Sequence, residues 1–259
     1  MPLPLSTAVA TQLIVLDEVG STNTELVGRV VAGGVADFTV VVTANQTAGR
    51  GRLDREWSAP AGASLAVSVF LAPTPGSFSQ LGWMPLLAGL AMARAVASVT
   101  PQAAVALKWP NDVQIDGRKV AGLLCEVVPN NLGIVIGAGF NVRMTEEELP
   151  VPTATSLVLE GAADEGLDDR ALSAYLTELR ELLDDFARSG FDPESGLRAA
   201  VTAACSTIGR SVRVQLPGGA DVFGTAVDID GSGRLVVREL TGSALTPVAA
   251  GDVTHLRYE

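Results

Sequence analysis

Lysine is almost absent from this chain of 259 residues. The chain has sixteen arginines but only two lysines, Lys108 and Lys119, and these two lie close together. A lysine ammonium is a compact point charge, whereas the arginine guanidinium is a planar fork. A chain that uses arginine almost everywhere and then places two lysines in one short window indicates a site that requires an ammonium. The alternative is that both are ordinary surface charges.

Histidine and cysteine are also scarce. His255 is the single histidine, and Cys125 and Cys205 are the two cysteines, far apart and outside any CxxC motif. A triad based on histidine and a zinc site built from several His and Cys ligands are therefore excluded, and we expect no metal site made by the protein alone. The cysteine usage fits a reducing cytoplasm, and each thiol is predicted to be a small buried hydrophobe.

Long apolar runs and basic blocks are missing as well. The longest apolar run, residues 81–93, is interrupted by Gly82, Pro85 and Gly89 and is shorter than the ~20 residues that span a bilayer. We interpret it as a core helix and expect no membrane association. The first basic residue is Arg29, so no signal peptide is predicted. The net charge of −11 argues against nucleic-acid binding.

The remaining pattern alternates strands and helices. Short β-branched or alternating runs predict strands at residues 13–16, 38–44, 64–71, 105–109, 113–116, 120–128 and 133–142. Helices are predicted at 22–32, 81–99, 167–189 and 193–205, the first from the capping-box spacing of Thr22 and Glu25. Residues 1–11 are expected to form a loose tail, and residues 143–167 an acidic loop.

The sequence pattern changes after residue 208. Strand-like runs at 211–216, 221–230, 234–239 and 252–257 are separated by glycine-rich turns. Several short strands in about fifty residues are typical of a small β-barrel. We therefore expect a large domain over residues 12–207 and a small β-barrel domain over residues 208–259.

Two glycine-rich segments are candidates for ligand binding. Residues 49–52 alternate glycine and arginine within a long loop at 45–62, which favours an anion site because glycines let backbone N–H groups approach an anion and guanidinium forks match its oxygens. The alternative is a solvated turn. Residues 137–142 lack the third glycine and the following helix of a dinucleotide fingerprint. These glycines either let a ligand lie flat on a strand or allow close packing, and the sequence does not choose between them.

Six features occur along the chain in a fixed order. They are Ser21-Thr22-Asn23, then Gln46, then Gly49-Arg50-Gly51-Arg52 with Trp57, then Lys108-Trp109-Pro110-Asn111-Asp112, then Gly117-Arg118-Lys119-Val120-Ala121-Gly122, and then Gly137-Ala138-Gly139-Phe140-Asn141-Val142. Together they resemble the ordered motif set of the biotin protein ligases, from about residue 17 to 257. The fourth and fifth motifs in combination are specific, whereas the last alone is weak. The short segment before the first strand resembles the family members without an N-terminal DNA-binding domain.

The resemblance implies an α+β fold, with a mixed sheet and packed helices like those of class II aminoacyl-tRNA synthetases, followed by an SH3-like barrel. It also implies a reaction in two steps. Biotin and ATP form biotinyl-AMP with release of pyrophosphate, and biotin then passes to a lysine of a carrier domain. Catalytic roles are implied for Lys119, Arg50 and Arg52, which oppose the charges of carboxylate and phosphate. Asp112 is the candidate to orient or deprotonate the incoming amine, and capping of a turn is its alternative role.

The family pattern also assigns binding residues. Those implied for biotin are Ser21, Thr22, Asn23, Gln46, Gly49, Arg50, Gly51, Arg52, Trp57, Lys119, Gly122 and Gly137, and those implied for the nucleotide are Arg50, Arg52, Lys119 and Asn141. Helix capping by Ser21 and Thr22 and plain packing of Trp57 are the alternative roles. Lys108 has no role that the sequence provides, and Arg257 is a candidate to help close the barrel over the site.

The resemblance finally implies partners and rivals. ATP and biotin are the expected substrates, with Mg²⁺ brought by the ATP phosphates. The expected partner is the biotin carboxyl carrier domain of biotin-dependent carboxylases, without nucleic acid or membrane, and the chain is expected to be a monomer or a weak homodimer. The rival functions are a lipoate-type ligase on the same fold and a biotin- or nucleotide-binding module without catalysis.

Overall fold

The computed structural model describes residues 1–53, 55–74, 76–78, 80–216, 218–240, 242 and 244–256. Pro75, Pro217 and the candidate residue Arg257 lie outside the described residues. The helices are α1 (Pro4–Val9), α2 (Thr22–Ala32), α3 (Met84–Val99), α4 (Leu167–Arg188) and α5 (Leu197–Ala204). The strands are β1 (Gln12–Leu16), β2 (Thr39–Thr43), β3 (Gly49–Arg50), β4 (Glu56–Trp57), β5 (Ser64–Leu71), β6 (Val105–Lys108), β7 (Asp112–Ile115), β8 (Arg118–Val127), β9 (Ile134–Asn141), β10 (Ser211–Gln215), β11 (Asp221–Ile229), β12 (Leu235–Glu239), β13 (Leu245–Val248) and β14 (Asp252–His255).

The central element is a mixed sheet in the order β1-β2-β5-β9-β8-β7-β6. β1 and β2 are parallel, and all the other neighbouring strands are antiparallel. Every strand of this sheet lies where the β-branched and alternating runs predicted it. The predicted mixed sheet with packed helices is therefore confirmed, and the tight hairpin between β7 and β8 uses Asp116 and Gly117 at positive φ, as their sequence indicates.

The two faces of the sheet have different roles. Val67 and Leu123 belong to the large core beneath α3 and α4. Their sequence neighbours Ser68 and Leu124 point to the opposite face, because successive side chains of a strand alternate. On that face α2 covers one end through a smaller apolar cluster around Leu26. The rest of the face is left for a cavity.

The N-cap of α2 lies one residue earlier than the sequence predicted. Ser21 is the N-cap, and its side chain accepts a hydrogen bond from the backbone N–H of Thr24 at 3.4 Å. The predicted capping box of Thr22 and Glu25 therefore does not form. Thr22 is instead the first helical residue, and its hydroxyl takes part in hydrogen bonds with Gln46 and Ser68.

The prediction of a loose tail over residues 1–11 is wrong. Residues 4–9 form α1, and the Asp169 carboxylate accepts hydrogen bonds from the backbone N–H groups of Leu5 (2.9 Å) and Ser6 (2.8 Å) and from the Ser6 hydroxyl (2.7 Å). Leu3 is 4% exposed within the main core. These contacts join positions far apart in the chain, so no local pattern could have indicated them.

The C-terminal strands form a separate antiparallel sheet in the order β13-β12-β11-β10-β14. The sequence located four of these strands and missed β13. Two buried indoles fix this sheet to the rest of the protein, because Trp83 donates to the carbonyl of Gly231 (3.0 Å) and Trp109 to that of Gly233 (3.1 Å). The boundary at residue 208 stays a prediction, and β14 reaches the cavity of the large sheet.

Among the described residues, one helical stretch, Leu81–Val99, is long and apolar enough to cross a membrane by length and composition. Two-thirds of that stretch is buried within the protein. It contains α3, which packs between the sheet and α4, so its apolar character is that of a core helix as the sequence predicted.

Candidate active site

A cavity of about 330 Å³ lies on the open face of the sheet. Its walls are the start of α2, the β3–β4 hairpin and β14. The predicted site residues that line it are Ser21, Thr22, Asn23, Gln46, Arg50, Gly51, Arg52, Trp57, Asp112, Lys119, Gly122 and Gly137. Residues from five separate segments of the sequence are thus brought to one place.

Gly49 and Asn141 are the predicted site residues that do not line this cavity. Gly49 pairs with Trp57 in the hairpin, where a Cβ atom would lie 2.2 Å from the Trp57 carbonyl oxygen and 2.4 Å from Gln46 Nε2. Asn141 is 3% exposed and donates its amide to the carbonyl of Thr155 at 2.9 Å. The structure therefore gives both residues partners within the fold.

The floor of the cavity is one row of residues that runs across four strands. Register pairs join Gly139 to Gly122, Gly122 to Asp112 and Asp112 to Lys108. Directly paired residues of neighbouring strands project to the same face. The row therefore begins with two residues that have no side chain and ends with a carboxylate and an ammonium. The side chains of Trp57 and Lys119 lie over the two glycines, and the carboxylate and second ammonium follow at the other end of the row.

A β-bulge explains how Lys119 joins this face. Val113 pairs with Ala121 and Gln114 pairs with Lys119, so Val120 is an extra residue in β8. Lys119 and Gly122 would otherwise point to opposite faces, and the bulge brings them to the same one. The backbone of Lys119 is fixed on its free edge, where its N–H donates to Thr153 (2.7 Å) and its carbonyl accepts from Thr155 (2.9 Å).

The Lys119 ammonium lies between an acid and an aromatic ring. Its Nζ is 2.7 Å from Asp112 Oδ1 and 5.7 Å from the centroid of the Trp57 ring. An ideal Cβ at Gly122 would be 3.1 Å from the same Nζ, so the glycine leaves the room that this conformation uses. The arrangement holds one positive charge over the glycine floor.

One end of the cavity is lined by neutral hydrogen-bonding groups. Gln46 Oε1 accepts from the backbone N–H of Thr22 (2.9 Å) and from its hydroxyl (3.2 Å). The Ser68 hydroxyl lies 2.8 Å from that of Thr22 and donates to Asn23 Oδ1 at 2.6 Å. Sequence reasoning missed Ser68, although a serine in the middle of a buried apolar strand was a signal that could have been used.

Gly137 makes room for Asn23 in this network. A Cβ at Gly137 would lie 2.3 Å from Asn23 Oδ1, and one at Gly139 would lie 2.5 Å from Trp57 Cε2. Of the two roles that the sequence left open for these glycines, close packing is the one seen. The Trp57 indole nitrogen is buried without a hydrogen-bond partner among the described residues.

Arg50 is held by an acid that the sequence did not single out. Its NH2 group contacts both oxygens of Glu126, at 2.7 and 2.6 Å, and Glu126 also accepts from Asn23 Nδ2 at 2.7 Å. Glu126 follows Leu124 on the same face of β8, beside the cavity. The alternation along the strand after Gly122 could have indicated it.

The charged end of the cavity includes residues of the C-terminal sheet. Arg55 forms an ion pair with Asp252 of β14. Arg52 donates to Asn111 Oδ1 (3.1 Å) and to the carbonyl of Gly251 (3.5 Å), and burial lowers the pKa of its guanidinium, against the opposing effect of Asp112. The sequence suggested that the C-terminal barrel closes over the site, and the structure shows that β14 forms one of the cavity walls.

Comparisons with known proteins agree with this geometry. The model of the Biotin/lipoate A/B protein ligase family matches residues 16–141, and that of the Biotin protein ligase C terminal domain matches residues 207–256. The chain is 42% identical to a biotin--[acetyl-CoA-carboxylase] ligase of Mycobacterium tuberculosis over 248 residues, which cover 95% of this chain and 90% of that protein. It is 32% identical over 239 residues to the enzyme of the same name from Paracoccus denitrificans, with 88% and 95% covered.

A solved structure matches the whole fold. The biotin protein ligase from Aquifex aeolicus in complex with biotin and ATP superimposes with a TM-score of 0.77 at 27% identity, and the match covers 96% of this chain and 100% of that one. The resemblance inferred from the motifs is thereby confirmed. With both family models matched and a relative 42% identical along nearly its whole length, the chain belongs to the biotin protein ligase family.

Proposed function

We propose that this cavity joins biotin and ATP into biotinyl-AMP, releases pyrophosphate and transfers biotin to a lysine of a carrier domain. The observation that carries the proposal is the order of groups across the cavity. Neutral donors and acceptors lie at the α2 end, where Arg50 is bound to Glu126, and the cations Lys119, Arg52 and Lys108 line the part of the cavity nearer β6 and β14. This order matches a ligand with a polar uncharged ring, a carboxylate and then phosphates.

The α2 end suits the ureido ring of biotin. Such a ring has both donors and acceptors, and the cavity side chains of Thr22, Asn23 and Gln46 offer both, with buried Ser68 behind them bonded to Thr22 and Asn23. Because these groups already bond to one another, their positions are fixed before a ligand binds. Preorganised groups cost less to order on binding than mobile ones.

Lys119 suits the point where two anions react. The biotin carboxylate must approach the α-phosphate, and a fixed ammonium between them stabilises the charge that develops in the transition state. Its ion pair with Asp112 keeps the ammonium in place over the glycine floor. Arg50 and Arg52 supply further positive charge, with Arg50 leaving Glu126 for the ligand.

The second step needs a neutral amine. At pH 7 the deprotonation of a lysine with an ordinary pKa of about 10.4 costs about 4.6 kcal/mol. Asp112 lines the cavity and is available to orient the incoming amine, and its ion pair with Lys119 favours this positioning role over that of a general base.

Mg²⁺ is proposed to arrive on the ATP phosphates. No group of three or more potential metal ligands of the His, Cys, Asp and Glu types occurs in the part of the chain that the structure describes. The cavity carboxylates Asp112 and Asp252 are both engaged in ion pairs. Mg²⁺ commonly binds through substrate phosphates with few protein ligands, and it neutralises their charge.

The acceptor is proposed to be the carrier domain of a biotin-dependent carboxylase, and the reaction is placed in the cytoplasm. The M. tuberculosis and P. denitrificans relatives are named as ligases for acetyl-CoA-carboxylase. Both cysteines are free thiols, in agreement with a reducing compartment.

The decisive experiment is isotope exchange between ATP and pyrophosphate with purified protein. We expect exchange that requires biotin and transfer of biotin to a carrier domain when one is added. Exchange without biotin would reject the proposal. Exchange driven by lipoate and not by biotin would establish the lipoate-type rival, and binding of biotin without any exchange would establish the non-catalytic rival.

A further inference from the structure

Lys108 is a half-buried cation that is in contact with no carboxylate among the residues the structure describes. It lies at the end of β6 and lines the cavity. Among the described residues its ammonium forms neither an ion pair nor a hydrogen bond. Burial lowers its pKa, and Lys119 and Arg55 lower it further against the opposing effect of Asp112.

The nearest acid is already occupied. Asp112 lies directly opposite Lys108 in the β6–β7 ladder, yet its carboxylate is bound to Lys119 at 2.7 Å. Arg50 is likewise paired with Glu126. The ion pairs that the described residues form within the site therefore do not include Lys108.

Arg52 is in the same condition. It contacts an amide oxygen and a backbone carbonyl but no carboxylate among the described residues. Glu56, which also lines the cavity, is exposed to solvent. Lys108 and Arg52 together give the inner end of the cavity two unmatched positive charges in a protein with a net charge of −11. Burying a charge without a partner is costly, so an anionic ligand is the expected compensation.

The position of Lys108 defines which anion this is. Gly139, Gly122, Asp112 and Lys108 are successive members of one row, and each strand-to-strand step is about 4.8 Å. Lys108 is thus about 14 Å from the β9 side, where the neutral groups lie, and Lys119 is between them. Phosphoryl transfer requires the attacking and leaving oxygens to be roughly in line on opposite sides of phosphorus. With biotin on the α2 side, the leaving group falls on the side of Lys108.

We propose that Lys108, together with Arg52, binds the β- and γ-phosphates of ATP and stabilises the departing pyrophosphate. The inference rests on the proposed function. A biotin carboxylate oxygen forms a bond to the α-phosphorus, the bond from that phosphorus to the bridging oxygen of the β-phosphate breaks, and the electron pair leaves on that oxygen. Lys108 stays protonated and acts by charge alone.

The test separates the two half-reactions of the protein with the variant Lys108→Met, which keeps the length of the side chain and removes its charge. We expect the KM for ATP and the concentration of pyrophosphate needed for half-maximal exchange to rise, and the kcat of adenylate formation to fall, by about 10–100-fold in kcat/KM. Transfer from supplied biotinyl-AMP to a carrier domain should keep its wild-type rate, because no pyrophosphate takes part in it. Biotin binding without ATP should also be unchanged.

Two further variants complete the design. Lys108→Arg should recover much of the loss, because the charge returns. Arg188→Met removes one positive charge from an exposed helix end and should change none of these quantities. A Lys108→Met protein with wild-type dependence on ATP and pyrophosphate would overturn the inference. Equal loss in adenylate formation and in transfer would also overturn it, whereas a wild-type protein that forms no adenylate would reject the proposed function itself.

Discussion

Replacing Gly137 with alanine tests whether the ring-binding end of the cavity is fixed before ligand binds. Gly137 lies on β9 beneath the side chain of Asn23. The added Cβ would be 2.3 Å from Asn23 Oδ1 and 2.8 Å from both Cγ and Nδ2. Real side chains do not approach so closely, and the three contacts leave the amide group no small rotation that relieves all of them. We therefore expect Asn23 to leave its position.

The cost follows from the bonds that hold Asn23. Its amide accepts from Ser68 at 2.6 Å and donates to Glu126 at 2.7 Å and to the carbonyl of Leu124 at 3.2 Å. Each such bond contributes about 0.5–1.5 kcal/mol, and the bond to a charged group contributes more. Loss of two or three bonds predicts a free energy of unfolding lower by about 2–3 kcal/mol, a range similar to that of overpacked cores. The affinity for biotin should fall as well.

Urea unfolding and calorimetric titration with biotin measure the two effects. Gly28→Ala on α2 is the matched control, because a Cβ there meets nothing within 4 Å, and alanine should stabilise the helix by about 0.5–1 kcal/mol. In an Asn23→Ala background the cost of Gly137→Ala should nearly vanish, because the clashing side chain is gone. A Gly137→Ala protein with the stability and biotin affinity of the wild type would refute the reasoning.

Three other predictions concern the charge of the site, pH and the N-terminal helix. Lys119→Arg keeps the positive charge, but the planar guanidinium does not fit where Nζ lies 2.7 Å from Asp112. The kcat for biotin-dependent exchange should therefore fall about 100-fold. A wild-type rate would show that the ammonium is dispensable. The pKa of His255 is lowered from 6.5 to about 4, first by burial and then by Lys108 and Arg210. Between these two pH values the unfolded chain takes up a proton that the folded protein does not. The free energy of unfolding should therefore have its full value above pH 6.5 and fall by about 1–2 kcal/mol towards pH 4, a range that allows for the partial exposure of the ring. Urea titrations of the His255→Gln variant should lack this decline. Asp169→Ala removes the carboxylate that accepts from the first backbone N–H groups of α1. Limited proteolysis should then cleave the N-terminal segment, and the free energy of unfolding should fall by about 2 kcal/mol while exchange activity is retained. A variant that resists cleavage would contradict the role of this contact.

Local sequence patterns predicted much of the fold. The strands of the central sheet follow from β-branched and alternating runs, α3 and α4 from apolar runs, and the β7–β8 hairpin from Asp116 and Gly117. The start of α2 was indicated by a capping pattern, although Ser21 and not Thr22 is the N-cap. α1 was not predictable, because its capping group, Asp169, is more than one hundred and sixty residues away in the chain. β13 was missed for a related reason, since its place depends on pairing with β12.

The motifs likewise predicted which residue types form the site, but not which of them contact one another. The scarcity of lysine directed attention to Lys108 and Lys119, and the ordered motifs indicated the family. Which of the two ammonium groups has a partner could not be read from their spacing. That outcome depends on a bulge at Val120, which turns Lys119 towards Asp112 and leaves Lys108 unpaired.

The sequence by itself therefore determined the family, the order of the strands along the chain and the residue types that meet the substrates, because each of these depends on short stretches of chain. Only the tertiary structure decided which charges neutralise one another, that Arg50 pairs with Glu126, and that β14 forms one of the cavity walls. Those properties depend on strand register and on contacts between distant segments, and neither is encoded in any local pattern of residues.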